Sequence, residues 1–455
     1  MMTKTTSTKW LLGLTSLGFF MSMMDAMIVT TASTAIRTDF HISVSTLQWA
    51  LNAYNITIAA VLLVGVALGE RWGRRRIYNW GILIFTLGSA LCALAGNIGF
   101  LILARVIAGI GASVMTPMSM AILSNTLPAS ERGRALGIWS GIGGLALIVG
   151  PSLGGVIVAR LAWQWIFWIN VPVGIAAIAL SRQYLPESRG DAARVNLLDG
   201  LLITLTLAGL IWVLSTFNGS MTGQLVLVGL VGVVSLGSGA WFLKRQTVAT
   251  NPMVSLSLFK SAQFNGSNMA TACLYGSMYG VVFFLPQFFQ LSQGASALTA
   301  GLELLPWTGT LVVIAPFAGR AVDRFGEGRL ATLGLFLQGL GYALIAELVR
   351  QQRPYSWLVL PLVFAGMGLS MAGPALQKAV LGAVPRGAMG QASGIYNVFR
   401  LFGGAVGTTL AVLIFSWVGG NLTLSKFIGG FQVTMLGTAL LSWLGIWWTR
   451  RLLRH

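Results

Sequence analysis

The chain has 455 residues, of which 55% are hydrophobic and only 9% are charged. Soluble domains carry roughly a quarter charged residues, so this composition excludes an ordinary soluble protein and is typical of an integral membrane protein. The formal net charge of +18 could indicate nucleic-acid binding, but the lysines and arginines form short clusters between apolar runs, which is a topology signal. We therefore expect membrane lipid around the chain and no nucleic-acid partner.

The apolar runs are long enough to cross a bilayer, whose hydrocarbon core of about 30 Å needs roughly 20 residues of helix. The first run follows a short basic N-terminus but continues for about 25 residues without a clear cleavage site, so we interpret it as an uncleaved span. The sequence predicts fourteen spans, at about residues 10–36, 46–69, 77–96, 99–124, 134–158, 164–182, 197–218, 223–243, 263–291, 298–319, 329–349, 355–382, 388–417 and 427–449.

Positive charges are distributed unevenly between the loops that these spans define. With a cytoplasmic N-terminus, 21 of the 29 lysines and arginines fall on the cytoplasmic side. Such an imbalance supports an even number of spans and predicts that both termini are cytoplasmic. The remaining eight are Arg37, Arg160, Arg350, Arg353 and Lys426 in outer loops, and Arg105, Lys378 and Arg400 within spans.

Two short motifs recur at one offset along the chain. GERWGRRR follows the second span and AVDRFGEGR follows the tenth, so that Glu70 and Asp323 are 253 residues apart. ERGRALG and PRGAMGQ place Arg132 and Arg386 254 residues apart. This agreement indicates duplication of a six-span unit with two spans inserted between the copies. The predicted domains are an N-terminal six-helix bundle at 1–183, a linker at 184–262 with two extra helices at about 197–218 and 223–243, and a C-terminal six-helix bundle at 263–455.

Asp25 is a single acid in the first span, within the stretch MSMMDAMIV. A charged side chain at mid-membrane costs roughly 2.5 to 3.5 kcal/mol on insertion scales, so such residues usually face a cavity and take part in transport. Burial favours the neutral form, which would let Asp25 bind a proton. The alternative is a structural acid that pairs with a neighbouring helix.

Glu303 is the other acid placed clearly inside a predicted span. It precedes Arg320 by 17 residues, about 25 Å of helix, which places it in the outer leaflet. The repeat offset does not relate Glu303 to Asp25, so it could be a second cation or proton site, or an interfacial acid. Arg105, near the outer end of the fourth span, could pair with a titrating acid or snorkel to the interface.

Several stretches resemble one known family. They are VALGERWGRR and GRAVDRFG after the second and tenth spans, LARVIAGIGASVMTP in the fourth, GIWSGIGGLALIVGPSLGG in the fifth, and WQWIFWINVPVG and GQASGIYNVFRLFGGAVG further on. Together they resemble the major facilitator superfamily and, within it, the fourteen-span drug:proton antiporters, over nearly the entire chain.

This resemblance implies an all-α integral membrane protein with the major facilitator fold. Its fourteen transmembrane helices would form two six-helix bundles plus two inserted helices, and the bundles would rock between inward-open and outward-open states. The resemblance links Arg105 to proton transfer. It assigns the antiporter motif to Gly150, Pro151, Gly154 and Gly155, and a cytoplasmic gate to Glu70, Arg71, Gly73, Arg74, Asp323 and Arg324.

Aromatic and polar residues that interrupt the spans are candidates for a substrate cavity. Ring faces can bind lipophilic cations, although lipid contact or core packing is the alternative for any one of them. The candidates are Trp49, Tyr54, Tyr279, Phe283, Gln287, Tyr396 and Asn397.

The sequence as a whole predicts a proton-coupled multidrug efflux antiporter that exports lipophilic, often cationic drugs or biocides by alternating access. In this hypothesis a proton and a cation compete for Asp25. The alternative is a proton-coupled transporter of a metabolite or siderophore-like compound. A channel would not need gate motifs in both halves, and a receptor would be expected to carry a soluble output domain.

An enzyme is not expected, because no nucleophile–base pair, metal-ligand cluster or phosphate loop stands out. We expect no metal and no cofactor, since the proton gradient would drive transport. The expected partners are protons, small lipophilic cations and lipid, and the expected state is a monomer in a bacterial inner membrane.

Overall fold

The computed structural model describes residues 8–189, 197–216, 225–249, 252–385, 388–418 and 423–450, and these are almost entirely α-helical. The helices are α1 Thr8–Asp39, α2 Val44–Trp72, α3 Arg74–Ala93, α4 Ile98–Thr126, α5 Ala129–Arg160, α6 Trp165–Trp168, α7 Asn170–Tyr184, α8 Leu197–Thr216, α9 Leu225–Val248, α10 Ala262–Ser292, α11 Ala297–Glu303, α12 Leu305–Phe325, α13 Glu327–Arg350, α14 Tyr355–Gly382, α15 Met389–Trp417 and α16 Leu424–Thr449.

Each of the fourteen predicted spans coincides with one helix or with a pair of helices interrupted by a short break. The pairs are α6 with α7 and α11 with α12. In the described ranges, ten helical stretches are long and apolar enough to cross a membrane. The prediction of an all-helical, multi-pass membrane protein is therefore confirmed, and the count of fourteen crossings stays a prediction.

The helices divide into two compact units, one within Met1–Phe40 and Trp49–Leu201, and the other within His41–Gln48 and Leu202–His455. In the first unit α1 packs against α4 and α5, and α3 packs against α4 and α7. In the second unit α10 packs against α14 and α15, and α13 packs against α14 and α16. Because α10 begins 254 residues after α1, the same set of helix pairs recurs at the offset of the sequence motifs. This recurrence supports duplication of a six-helix unit. The exact limits of the predicted domains stay predictions.

Two glycines of the repeated loop motif begin equivalent helices. Gly73 precedes α3 with φ of 110°, and Gly326 precedes α13 with φ of 83°. A side chain with a Cβ rarely adopts these backbone angles, whereas glycine adopts them at little cost. The motif therefore needs glycine at this position because the chain makes a sharp turn between two consecutive helices.

Small residues set the distance between packed helices. A Cβ at Gly81 of α3 would lie 3.0 Å from the carbonyl oxygen of Gly111 in α4, and Gly334 and Gly368 make the equivalent crossing of α13 and α14. Helices in lipid gain little from hydrophobic burial, so close van der Waals contact of this kind is a main source of their association.

The closest crossing in the second unit joins α10 to α15, where a Cβ at Gly407 would overlap the backbone of Gly276. We expect Gly407→Leu to destabilise the protein by more than about 3 kcal/mol, because backbone atoms cannot rotate away as a side chain can. Thermal unfolding in detergent checks this. Gly309→Leu in α12 is the control, since open space surrounds that position, and equal unfolding temperatures for the two variants would contradict the prediction.

Candidate functional site

The antiporter-motif glycines of α5 bring that helix against the part of α1 that carries Asp25. A Cβ at Gly150 would lie 2.9 Å from Cβ of Met27, and a Cβ at Gly154 would lie 3.0 Å from the carbonyl oxygen of Ile28. Asp25 itself is 0% exposed. The motif therefore helps to enclose the acid by close helix packing.

Arg105 is the charged partner of Asp25. Its Nη1 donates a hydrogen bond to Oδ2 of Asp25, and the two side chains form an ion pair between α4 and α1. The Arg105 side chain is 1% exposed. The alternative in which Arg105 snorkels to the interface is therefore wrong for this structure.

Asn170, the first residue of α7, contacts the other oxygen of the carboxylate. Its Nδ2 lies 3.3 Å from Oδ1 of Asp25 and 3.4 Å from Oγ of Ser89 in α3, and it can donate to both. Asn170 is 1% exposed and Ser89 is 0% exposed. Both carboxylate oxygens of Asp25 thus accept hydrogen bonds from side chains that are themselves buried.

The Arg105 guanidinium also contacts α2. Its Nε donates to the backbone oxygen of Ala50 at 3.3 Å, and its Cζ lies 4.1 Å from the ring centre of Tyr54. The Tyr54 hydroxyl in turn donates to the backbone oxygen of Ser22 in α1 at 3.0 Å. We call Asp25, Arg105, Asn170, Ser89 and Tyr54 the Asp25 cluster.

The charge of the Asp25 cluster depends on one proton. With Asp25 ionised the pair is neutral overall, and each charge compensates the desolvation of the other. A proton on Asp25 leaves Arg105 as an uncompensated buried cation, which is costly in a medium of low polarity. Nη2 of Arg105 has no hydrogen-bond partner among the described residues, so a second arrangement of the guanidinium would not have to break a bond at that atom. Protonation of Asp25 would therefore remove the charge attraction that joins α1 to α4 at this point.

Glu303 lies outside this cluster, in the second unit, where it is the last residue of α11. Its side chain is half-buried, and its Oε2 has no hydrogen-bond partner within the described part of the chain. The Tyr355 hydroxyl donates to its backbone oxygen at 3.1 Å. A role for Glu303 as a second cation or proton site stays a prediction.

The aromatic candidates occupy different surroundings. The ring of Tyr54 is covered by Arg105. Phe283 packs on Phe284 with ring centres 4.9 Å apart, and Nε2 of Gln287 donates to the Phe283 carbonyl oxygen at 2.7 Å. These three candidates and Tyr396, which is 2% exposed, are fully or almost fully buried. The other three, Trp49, Tyr279 and Asn397, are half-buried. A substrate cavity lined by them stays a prediction.

The gate motif of the first unit is held by a residue that the sequence analysis did not single out. The Glu187 carboxylate accepts the backbone N–H groups of Arg75 and Arg76, at 3.0 and 3.1 Å. These groups open α3, where the helix dipole favours negative charge. Arg74 is buried with its Nη1 3.5 Å from Oγ of Ser188, so the segment after α7 covers the start of α3.

The structure describes only some of the other gate candidates. Arg71 and Arg324 are exposed, and the side chains of Glu70 and Asp323 lie outside the described part of the structure, as do residues 386–387 and the side chain of Arg132. In the second unit the acid at the start of α13 is Glu327, whose Oε1 lies 3.2 Å from Nζ of Lys378. The role of these residues as a gate stays a prediction.

Known proteins resemble this chain in sequence and fold. The Major Facilitator Superfamily pattern matches residues 15–408 and 268–454. The Mycobacterium tuberculosis multidrug resistance protein Stp is 31% identical over 415 residues, covering 90% of this chain and 76% of that protein. The Clostridioides difficile riboflavin transporter RibZ is 30% identical over 402 residues, covering 88% and 87%.

A solved structure shows the same fold. A bacterial homologue of the human lysosomal transporter Spinster matches with a TM-score of 0.70 and 16% identity, covering 100% of this chain and 99% of that one. The sequence matches show the family, and the structural match shows the fold. This chain belongs to the Major Facilitator Superfamily, and it is a transporter and not an enzyme.

Proposed function

We propose that this protein exports lipophilic drug-like compounds from a bacterial cell in exchange for protons, as a fourteen-span antiporter of the inner membrane with both termini in the cytoplasm. The observation that carries the proposal is the buried ion pair of Asp25 and Arg105, whose charge changes with a single proton. The similarity to a protein named for multidrug resistance supports lipophilic drugs as the cargo.

The Asp25 cluster supplies the coupling in this proposal. A proton that enters from outside neutralises Asp25 and leaves Arg105 uncompensated, so that substrate is discharged and the protonated protein favours the conformation open to the cytoplasm. Loss of the proton to the cytoplasm restores the pair, and binding of a new substrate then favours the conformation open to the outside. Substrate and proton must prefer different conformations, because a ligand shifts an equilibrium only by its differential affinity for the two states.

The ion pair changes one part of the sequence hypothesis. A cation was expected to compete with the proton for Asp25, but Arg105 already occupies one oxygen of that carboxylate and Asn170 contacts the other. Direct competition would require Arg105 to move away first. Coupling through conformation does not need a substrate cation at Asp25, so the proposal includes neutral as well as cationic lipophilic substrates.

The second candidate function is proton-coupled transport of a metabolite. The similarity to a protein named as a riboflavin transporter favours it. The Asp25 cluster would serve the same purpose in either case, so the two functions differ in cargo and not in coupling.

Transport by inverted membrane vesicles tests the proposal. With an inward-acid gradient, vesicles that contain the protein should accumulate ethidium, tetraphenylphosphonium or the neutral dye Nile red, and nigericin, which collapses the pH gradient, should release them. Accumulation of riboflavin but of no dye would favour the second candidate. Dye movement that nigericin leaves unchanged would contradict proton coupling.

A further inference from the structure

Arg400 is a cation near the middle of a helix of the second unit. It lies eleven residues after the start of α15 at Met389 and seventeen before its end at Trp417, so about 16 Å of helix separates it from the nearer end. Its side chain is half-buried, and its Nε is enclosed without a hydrogen-bond partner among the described residues. A charge at this depth is costly unless something compensates it.

Three tyrosines surround Arg400. Its Cζ lies 5.6 Å from the ring centre of Tyr275 in α10, and Tyr396 lies one turn before Arg400 on α15, with its hydroxyl donating to the Gly373 backbone oxygen at 3.4 Å. Tyr279 lies one turn further along α10, and its ring packs on Gly404 of α15, where a Cβ would lie 2.5 Å from the ring. The small residue therefore lets the second tyrosine ring approach the helix of Arg400.

The described residues contain no carboxylate within ion-pair distance of Arg400. Asp25 is paired with Arg105 in the first unit, and in the second unit Glu327 is paired with Lys378 and Glu347 with Arg350. Tyrosine rings and hydroxyls solvate a guanidinium but do not neutralise it. Within the described part of the chain the two mid-membrane arginines thus differ, because Arg105 has a carboxylate as its counter-ion and Arg400 has none.

We infer that Arg400 with Tyr275, Tyr279 and Tyr396 is a binding site for the carboxylate of a lipophilic substrate. This inference rests on the proposed export of lipophilic compounds and specifies one substrate class within it. The planar guanidinium can bind a carboxylate through two parallel hydrogen bonds, and tyrosine hydroxyls can donate to the same oxygens. The flanking rings provide an apolar surface for the aromatic or aliphatic body of the same molecule.

A lipid phosphate is a less suitable occupant of this site. Phospholipid headgroups lie at the membrane surface, near the ends of the helices, whereas Arg400 is about 16 Å from the nearer end of α15. A free carboxylate compound is not held at the membrane surface, so it can reach this depth inside a transporter. The guanidinium compensates its charge there.

Two probes that share a ring system test the inference. Purified protein in detergent is titrated by calorimetry with 2-naphthoate and with 2-naphthalenemethanol at neutral pH, where only the former carries a charge. We expect wild type to bind naphthoate at least tenfold more tightly than the alcohol, since a charge-assisted hydrogen bond contributes about tenfold or more. Arg400→Gln should lower naphthoate affinity at least tenfold and change affinity for the alcohol less than twofold.

Two further variants serve as controls. Tyr275→Phe removes one hydroxyl and keeps the ring, so it should lower naphthoate affinity several-fold even if Arg400→Gln fails to fold. Arg160→Gln removes one exposed positive charge and should leave both affinities unchanged. An outer phosphate site is distinguished by titrating short-chain phosphatidylglycerol, which should not displace naphthoate.

Equal affinity of wild type for the two probes, or equal losses for both in folded Arg400→Gln, would overturn the inference, as would displacement by the lipid. The titration needs no proton gradient, so its result is independent of the vesicle assay. Dye export without a preference for naphthoate would reject the carboxylate site alone. A clear naphthoate preference without gradient-driven export would reject the proposed coupling alone.

Discussion

Asp25→Asn is expected to lose gradient-driven transport while it keeps the fold. One pH unit can sustain about a tenfold concentration ratio for each coupled proton, so the accumulation ratio of an exported dye should fall from about ten to about one. Asparagine has nearly the shape of aspartate and can still accept the hydrogen bond from Asn170, but it cannot exchange a proton. Inverted vesicles with matched amounts of protein provide the measurement.

Glu347→Gln is the matched control for this substitution, because it also neutralises one acid but lies at the exposed end of α13. It should accumulate dye as wild type does. Retention of an uphill accumulation by Asp25→Asn would contradict the role given to the acid. Loss of dye binding together with loss of transport would instead show that the site had been disrupted.

Arg105→Met is expected to destabilise the protein strongly, by roughly 3 to 5 kcal/mol, because it leaves Asp25 as an unpaired buried charge or forces it to take a proton. Methionine replaces the length of the side chain but supplies no charge and no donor. The double variant Asp25→Asn/Arg105→Met should recover much of this loss, since neither charge then remains buried. Thermal unfolding in detergent measures the difference between the two variants.

Arg160→Met is the control, because the side chain of Arg160 is exposed and its loss should leave the unfolding temperature unchanged. An unfolding temperature of Arg105→Met equal to that of wild type would show that the pair contributes nothing to stability. A double variant no more stable than Arg105→Met would show that the loss comes from packing and not from the stranded charge.

The sequence identified both charges of the Asp25 cluster but not their pairing. A single acid or base within an apolar run is a local signal, and it is visible without knowledge of the fold. Asp25 and Arg105 are 80 residues apart on α1 and α4, and nothing in their spacing specifies that these two helices meet. Asn170 was missed because an amide in WQWIFWINVPVG gives no signal until α7 is placed against α1.

The repeat was predictable for a similar reason. A duplicated motif is found by comparing the sequence with itself. The offset of about 254 residues therefore predicted which helices are equivalent. Gly73 and Gly326 make equivalent backbone turns at this offset. The breaks at Ile169 and Leu304 were missed, although a proline follows each within three residues, Pro172 and Pro306, and proline favours the first turn of a helix. Glu187 was missed because a single acid in a polar loop has many possible roles, and its role here depends on the position of α3.

Arg105 and Arg400 show how helix packing gives similar residues different surroundings. Both lie in apolar runs, so the composition of the surrounding sequence does not distinguish them. Arg105 meets an acid, a backbone carbonyl and an aromatic ring from neighbouring helices, so its charge is balanced inside one unit. Arg400 meets a tyrosine ring, and no carboxylate of the described residues lies within ion-pair distance of it. This difference is the basis for proposing that the first arginine serves proton coupling and the second serves substrate recognition.

Proton release on substrate binding would show whether Asp25 holds the coupled proton. Purified protein in weakly buffered detergent solution, held at a pH where wild type carries the proton, is mixed with a dye that the vesicle assay identifies as exported, and the pH change is recorded. We predict release of about one proton per bound dye from wild type and none from Asp25→Asn that binds the same dye. Equal release from the two proteins would show that the coupled proton is held elsewhere.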